Sequence, residues 1–438
     1  MLECVAAEAL YFAATLDGES QIRIGRLLAA LQRPVVDILQ LRGLVLVHGL
    51  PPVGTPSLRA LVWKLLLGVL PAVRSEWFNR LAKCRSDYAD YVRDLVAEPE
   101  VVTRIRDGHQ HDEYHQLGPV TRVPVVDHPL ALSHSVSPWR SFWTDSEIFD
   151  QVNKDVFRTR VETDFFHQTA PADMAKLTIR IESRMRKEPG SPKSHSFVIA
   201  NIMNPSSHYD RICRLLFLFS KLNFGYIQGM NELIAPLYWT FVHDSVDGQW
   251  AEADTFYAFT AIMIQQRDIF TKTMDDCHGG ILGRIEGVKE LLEQADPVVF
   301  DHLKKHGVRI NFFALRWILL LFAQEFDLVQ LQQIWDALLA DDDGKGSSLV
   351  AYICVAMILL VREVLLAGTE FGDILQILQR YPPFDPAEIL ALAKSLRDPR
   401  LLKSSSAISS DDLVLASLNH TRSKSSFRSV LRLVRESE

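Results

Sequence analysis

The sequence predicts an all-α chain. Apolar residues recur mainly at three- and four-residue spacing, as in Ile212, Leu215, Leu216, Phe219 and Leu222, which mark one face of a helix. The alternation of apolar and polar residues that a half-buried strand needs is scarce, and no internal period of about 20 to 50 residues points to a solenoid. With 438 residues, 48% hydrophobic and 23% charged, the chain has a globular balance and can bury a substantial core.

In order along the chain, Ile22, Leu27, Leu28, Leu31, Val36, Ile38 and Leu39 mark one or two helices, read as an N-terminal extension over residues 1–42. Arg59 and Trp63 stand four apart on a helix. There Trp63 is expected to be buried and Arg59 to hold a neighbouring carboxylate or carbonyl. Residues 107–129 hold His109, His111, Asp112, Glu113 and His115 among prolines and read as a loop. Val152 to Arg158 read as helix, and a second polar stretch, 183–207, contains Pro189-Gly190-Ser191-Pro192. Asn223-Phe224-Gly225 is a helix stop, and a new helical pattern starts near Asn231 with Leu233, Ile234 and Leu237, so Asn231 is expected to cap that helix. Leu349 to Val361 falls about seven residues short of a bilayer span and runs into Arg362-Glu363, as a buried core helix does. Beyond Lys403 the chain turns serine-rich and ends in Arg422, Lys424, Arg428, Arg432 and Arg435. Residues 399–438 are expected to be a flexible basic tail or to end in an amphipathic helix, a weak aid on anionic lipid.

Composition removes several functions. A net charge of -7 without a Lys/Arg stripe interleaved with aromatics argues against a nucleic-acid partner. Five cysteines, Cys4, Cys84, Cys213, Cys277 and Cys354, lack Cys-x-x-Cys spacing and read as reduced thiols. The N-terminus lacks a signal-peptide pattern, so a cytoplasmic chain without a transmembrane segment is expected. His302 and His306 have helical spacing without the glutamate of a zinc protease, and Asp341-Asp342-Asp343-Gly344 lacks calcium-loop spacing and reads as a solvated turn. No phosphate-binding loop is visible, and no metal or cofactor of its own is expected.

Two short runs carry chemistry. Val152-Asn153-Lys154-Asp155-Val156-Phe157-Arg158 offers an arginine, and Tyr226-Ile227-Gln228-Gly229-Met230-Asn231 offers a glutamine on a loop between helices. An arginine neutralising phosphoryl charge and a glutamine positioning water complete GTP hydrolysis in a partner's active site. Arg-x-x-x-Trp is expected about once by accident in a chain of this length, whereas Tyr-x-Gln-Gly-Met-Asn is expected about 0.0001 times, so the last run carries the weight. The three runs, Arg59 to Trp63, Val152 to Arg158 and Tyr226 to Asn231 in chain order, resemble the signatures of the TBC domain, the catalytic module of GTPase-activating proteins for Rab-type small GTPases.

The resemblance spans residues 43–398. It implies a large helical domain made of two packed helical subdomains, with the polar stretches near 107–129 and 183–207 as variable loops. It implies that Arg158 is an arginine finger oriented by Asp155, that Gln228 is a second finger, and that Arg59, Trp63, Tyr226, Gly229 and Asn231 support them. A GTP-bound Rab would be the partner, carrying the GTP and Mg2+ and drawing the chain to endomembranes in vesicle transport. No independent reaction of the chain itself is expected. Val152 stands where the family has isoleucine, and Arg160-Val161 replaces a frequent proline region. Two alternatives remain at this point: a catalytically silent Rab-binding scaffold and a helical adaptor with no GTPase partner. In either, Arg158 would be a helix residue paired with Asp155, and Gln228 a loop residue satisfying backbone groups.

Overall fold

Four aspartates and a serine cap the starts of five described helices. The computed structural model describes residues 1–51, 55–95, 138–167, 205, 207–222, 225–266, 280–341 and 348–398. The polar stretches 107–129 and 183–207 (apart from Pro205 and Ser207), with their histidines, and the tail 399–438 lie outside these residues. The helices are α1 Leu2–Ala13, α2 Gly18–Leu31, α3 Ile38–His48, α4 Pro56–Leu66, α5 Trp77–Leu95, α6 Pro138–Val156, α7 Asp164–His167, α8 His208–Leu222 and α9 Met230–Val242. They continue with α10 Ala251–Gln265, α11 Ile281–Ala295, α12 Pro297–Lys305, α13 Asn311–Leu319, α14 Leu328–Ala340, α15 Leu349–Leu360, α16 Arg362–Ala367, α17 Phe371–Gln379 and α18 Pro386–Arg397. The described residues contain no strand beyond an isolated bridge between Val35 and Val73. The side chains of Asp37, Asp296, Asp327, Ser348 and Asp385 each accept a backbone N–H in the first turn of the helix that follows, satisfying one of the donors a helix start leaves open. No described helix is long and apolar enough to cross a membrane.

The chain forms two units, the first gathering the described residues of Met1–Trp77, His243–Val246 and Ala261–Glu438. Here α15 packs on α11 and α18, and α14 packs on α3, α4 and α18. All the α15 residues from Ile353 to Leu359 are buried, as the apolar run predicts. Helix α4 is buried along its length from Ser57 to Leu66, including two cations: Arg59 faces Asp336, and Lys64 lies 3.7 Å from Asp244. The boundary expected at residue 42 falls inside α3, and α1 packs on α4 while Ser57 donates its N–H to Glu8 across 3.2 Å. Residues 1–42 fall within this unit, α1 packing on α2 and α4, and α3 on α2, α4 and α14.

One further expectation changes. Asp341 is no solvated turn residue: it accepts the Leu349 N–H at 2.8 Å and pairs with Arg397, fixing the start of α15. His302 and His306 are half-buried and engaged with backbone, His302 Nε2 lying 3.1 Å from the Gly368 carbonyl and His306 Nδ1 2.9 Å from the His302 carbonyl.

The second unit gathers the described residues of Phe78–Val242 and Asp247–Thr260. Helix α8 is its centre, packing on α6, α7 and α9. Ser207 and Asp210 cap its start reciprocally, the serine hydroxyl donating to the carboxylate at 2.9 Å and accepting the Asp210 N–H at 3.1 Å. Ile212, Leu215, Leu216 and Phe219 are buried as the spacing predicts, while Leu222 at the helix end is 40% exposed. A polar layer lies beside this core. Arg214 binds both oxygens of Glu252, whose Oε1 also accepts the Tyr88 hydroxyl, and Arg85 forks onto Asp254 at 3.1 and 3.0 Å. Burial and then the Glu252 charge push the Tyr88 phenol well up, so it stays a donor in this layer.

Candidate functional site

The site is built in the second unit, where the end of α6 meets the turn before α9. Val152 and Val156 are fully buried on the inner face of α6, which sets the direction of the residues that follow. The helix then closes in a tight turn, with Arg158 N–H bonded to the Asp155 carbonyl at 3.0 Å and Thr159 N–H to the Val156 carbonyl at 3.1 Å. Asp155 is 5% exposed, whereas the Arg158 side chain is 63% exposed, so the carboxylate stays inside while the guanidinium reaches out.

Both carboxylate oxygens of Asp155 are used. Oδ1 takes the Arg158 guanidinium, and Oδ2 accepts the Tyr226 hydroxyl at 2.9 Å. Burial, and then the Asp155 charge, push the Tyr226 phenol far above its ordinary value, so it remains a proton donor at every physiological pH. Tyr226 belongs to the glutamine run and Asp155 to the arginine run. Their contact gives the two motifs one shared hydrogen-bond network.

The glutamine is presented by a turn in which Met230 N–H bonds the Ile227 carbonyl at 3.2 Å. Gly229 sits at φ 104, a conformation that favours glycine, and Gly225 at φ 82 ends the approach. Gln228 is exposed, and its amide makes no hydrogen bond to the described residues.

Asn231 does not cap its helix as expected. It is the second residue of α9, and its amide reaches across the site, donating to the Thr159 hydroxyl at 2.9 Å and the Asp155 carbonyl at 3.3 Å. It thereby grips the turn that carries Arg158. Thr159 in turn donates its hydroxyl to the Asp155 carbonyl at 3.1 Å. The reading of the sequence missed Thr159, Arg160 and Glu232 in this site. Only adjacency to Arg158 and Asn231 could have singled them out. Arg160 is buried at φ 49, a left-handed backbone that costs a side-chain-bearing residue of order 1–3 kcal/mol.

Arg59 and Trp63 lie in the first unit, where they meet Asp336. Arg59 Nε donates to Oδ1 and Oδ2 at 3.1 and 3.3 Å, its Nη2 reaches the Pro51 carbonyl at 2.8 Å, and Trp63 Nε1 donates to Oδ1 at 2.7 Å. This is the buried tryptophan and carboxylate-holding arginine that the sequence implies. Burial raises the Asp336 carboxyl, while Arg59 and the Trp63 hydrogen bond pull it back. The described residues contain no group of three or more His, Cys, Asp or Glu able to hold a metal.

An all-α chain that joins an arginine turn to a glutamine turn through Asp155 and Tyr226 has the build of a TBC domain. Residues 201–366 match the family model for the Rab-GTPase-TBC domain, a span that contains Gln228 and begins after Arg158. Human TBC1 domain family member 13 is 33% identical over 412 residues, covering 86% of this chain and 98% of that protein, and the mouse protein of the same name gives the same identity and coverage. Human TBC1 domain family member 5 is 26% identical over 386 residues, covering 78% of this chain and 41% of that protein. Among solved structures, the Ypt/Rab-GAP domain of Gyp1p shares the fold, with a TM-score of 0.59 and 19% identity over 88% of this chain and 99% of that one. The chain belongs to the TBC-domain family.

Proposed function

We propose that the chain is a GTPase-activating protein for Rab-type small GTPases, supplying Arg158 and Gln228 to a partner that holds GTP and Mg2+. The observation that carries this reading is the Tyr226–Asp155 hydrogen bond, because it joins the two motifs whose side chains would act on one phosphoryl group. The planar guanidinium of Arg158 would contact phosphoryl oxygens as negative charge develops on them, and its permanent charge needs no proton uptake. A finger of this kind contributes about 1,000- to 100,000-fold in rate, about 4–7 kcal/mol of barrier. The neutral amide of Gln228 both donates and accepts, as the positioning of an attacking water requires. Membership of the TBC-domain family, whose model is that of a Rab-GTPase-TBC domain, supports the same reading.

In this account the chain works in the cytoplasm, meets its GTP-bound Rab at endomembranes and ends a round of vesicle transport. Phosphate release from a panel of GTP-loaded Rab proteins tests it, with Arg158→Ala and Gln228→Ala variants beside the unaltered chain. Acceleration of one or a few Rabs that both variants lose supports the activator. Binding without acceleration by folded protein would replace it with a silent docking module.

A further inference from the structure

Beneath the finger turn lies a second buried charge pair. Arg160, 5% exposed and at φ 49, points its Nε to within 3.8 Å of Glu232 Oε2. Glu232, 6% exposed, stands in the first turn of α9, and its other oxygen accepts the Asn231 amide at 3.3 Å. Arg160 also approaches the exposed Glu162 at 3.6 Å, and its carbonyl accepts the Thr163 N–H at 2.8 Å, closing the turn beyond the finger. A left-handed backbone at a buried arginine persists only where the surroundings hold it. One charged neighbour of that arginine is the carboxylate 3.8 Å from its Nε, one residue beyond Asn231, the residue that grips Thr159 and the Asp155 carbonyl.

We propose that Arg160 is a positioning residue for the arginine finger: its pair with Glu232 clamps the turn that carries Arg158 to the start of α9, and so fixes Arg158 in register with the Gln228 turn. The inference rests on the activator reading above and extends it to residues that never touch the nucleotide. Two contacts, one on each side of Arg158, then hold the finger. Asp155 restrains its base through Tyr226, and Arg160 restrains the chain after it. Loss of the second leaves docking intact and misplaces the guanidinium in the transition state, where errors of about 1 Å cost on the order of 100-fold.

The test uses full-length protein and three variants, Arg160→Gly, Glu232→Gln and the double change. Glycine adopts positive φ freely, so Arg160→Gly removes the side chain while sparing the turn. Glu232→Gln keeps the acceptor for Asn231 and deletes the charge. On a Rab that the unaltered chain accelerates, each single change should lower kcat by about 10- to 100-fold. Binding to the same Rab loaded with a non-hydrolysable GTP analogue should stay within about twofold, while binding to its GDP–aluminium fluoride form weakens in step with kcat. The double variant should lose no more than either single one, because both remove the same contact. Unchanged kcat, additive losses, or an equal fall in ground-state binding would overturn the proposal. An unaltered chain that accelerates no Rab would overturn the activator reading and this inference with it.

Discussion

The hydroxyl of Tyr226 donates a 2.9 Å hydrogen bond to the carboxylate of Asp155, 71 positions earlier in the chain. The other oxygen of that carboxylate holds Arg158. The residue that holds the arginine is thus anchored by the run that presents the glutamine.

Tyr226→Phe keeps the ring and deletes this bond. Asp155 is buried, so its freed oxygen should cost about 1–3 kcal/mol of stability, read by urea unfolding. Loss of the tie should also lower the catalysed hydrolysis rate by about tenfold, a factor worth about 1.4 kcal/mol of barrier. A variant with unaltered rate would show that the tie does not orient the finger.

Arg158→Ala should lower GTPase activation by about 1,000- to 100,000-fold. The change also frees Oδ1 of the buried Asp155, so unfolding free energy should fall by about 1–3 kcal/mol. Arg158→Lys keeps the charge and loses the planar fork, and should recover little of the rate in single-turnover hydrolysis.

Asp336→Ala addresses the first unit. It strips the partner from the buried Arg59 and the acceptor from Trp63, and should destabilise the fold by about 3–5 kcal/mol in denaturant unfolding. A loss below about 1 kcal/mol would mean that Arg59 finds other partners at little cost.

Lys394 supplies a pH dependence. Burial, and then the charge of Arg23, lower its pKa from the usual 10.5. Below its folded pKa the folded chain bears the penalty of a half-buried ammonium. Between that value and 10.5 the unfolded chain binds more protons, so stability rises with pH through this window. Lys394→Met should therefore stabilise the protein at neutral pH and flatten this rise. The readout is the difference in Tm between the two proteins at pH 7 and near pH 10, which should shrink at the higher pH.

Much of this site is legible in the sequence because its chemistry is local. Gln228 and Gly229 are adjacent, and the turn needs that glycine at φ 104. Asp155 and Arg158 are one helical turn apart, and the buried Trp63 follows from an apolar helix face. What escapes is contact across long separations. Nothing in the spacing says that Asn231 reaches Thr159 rather than capping its own helix, or that Glu232 faces Arg160. A left-handed arginine has no sequence signature, since its backbone is imposed by its surroundings. The division of the chain is equally hidden: α1 to α3 share a unit with α11 to α18 because their apolar faces meet α4 and α14, a pairing that periodicity cannot express.

The central claim is that Gln228 positions the attacking water in place of the partner's own residue. It is tested most directly by single-turnover hydrolysis on a responsive Rab whose water-positioning glutamine has been changed to leucine. The account predicts that the unaltered chain still accelerates this Rab and that Gln228→Ala abolishes the effect. An unaltered chain that accelerates the natural Rab and fails on the leucine form would contradict it.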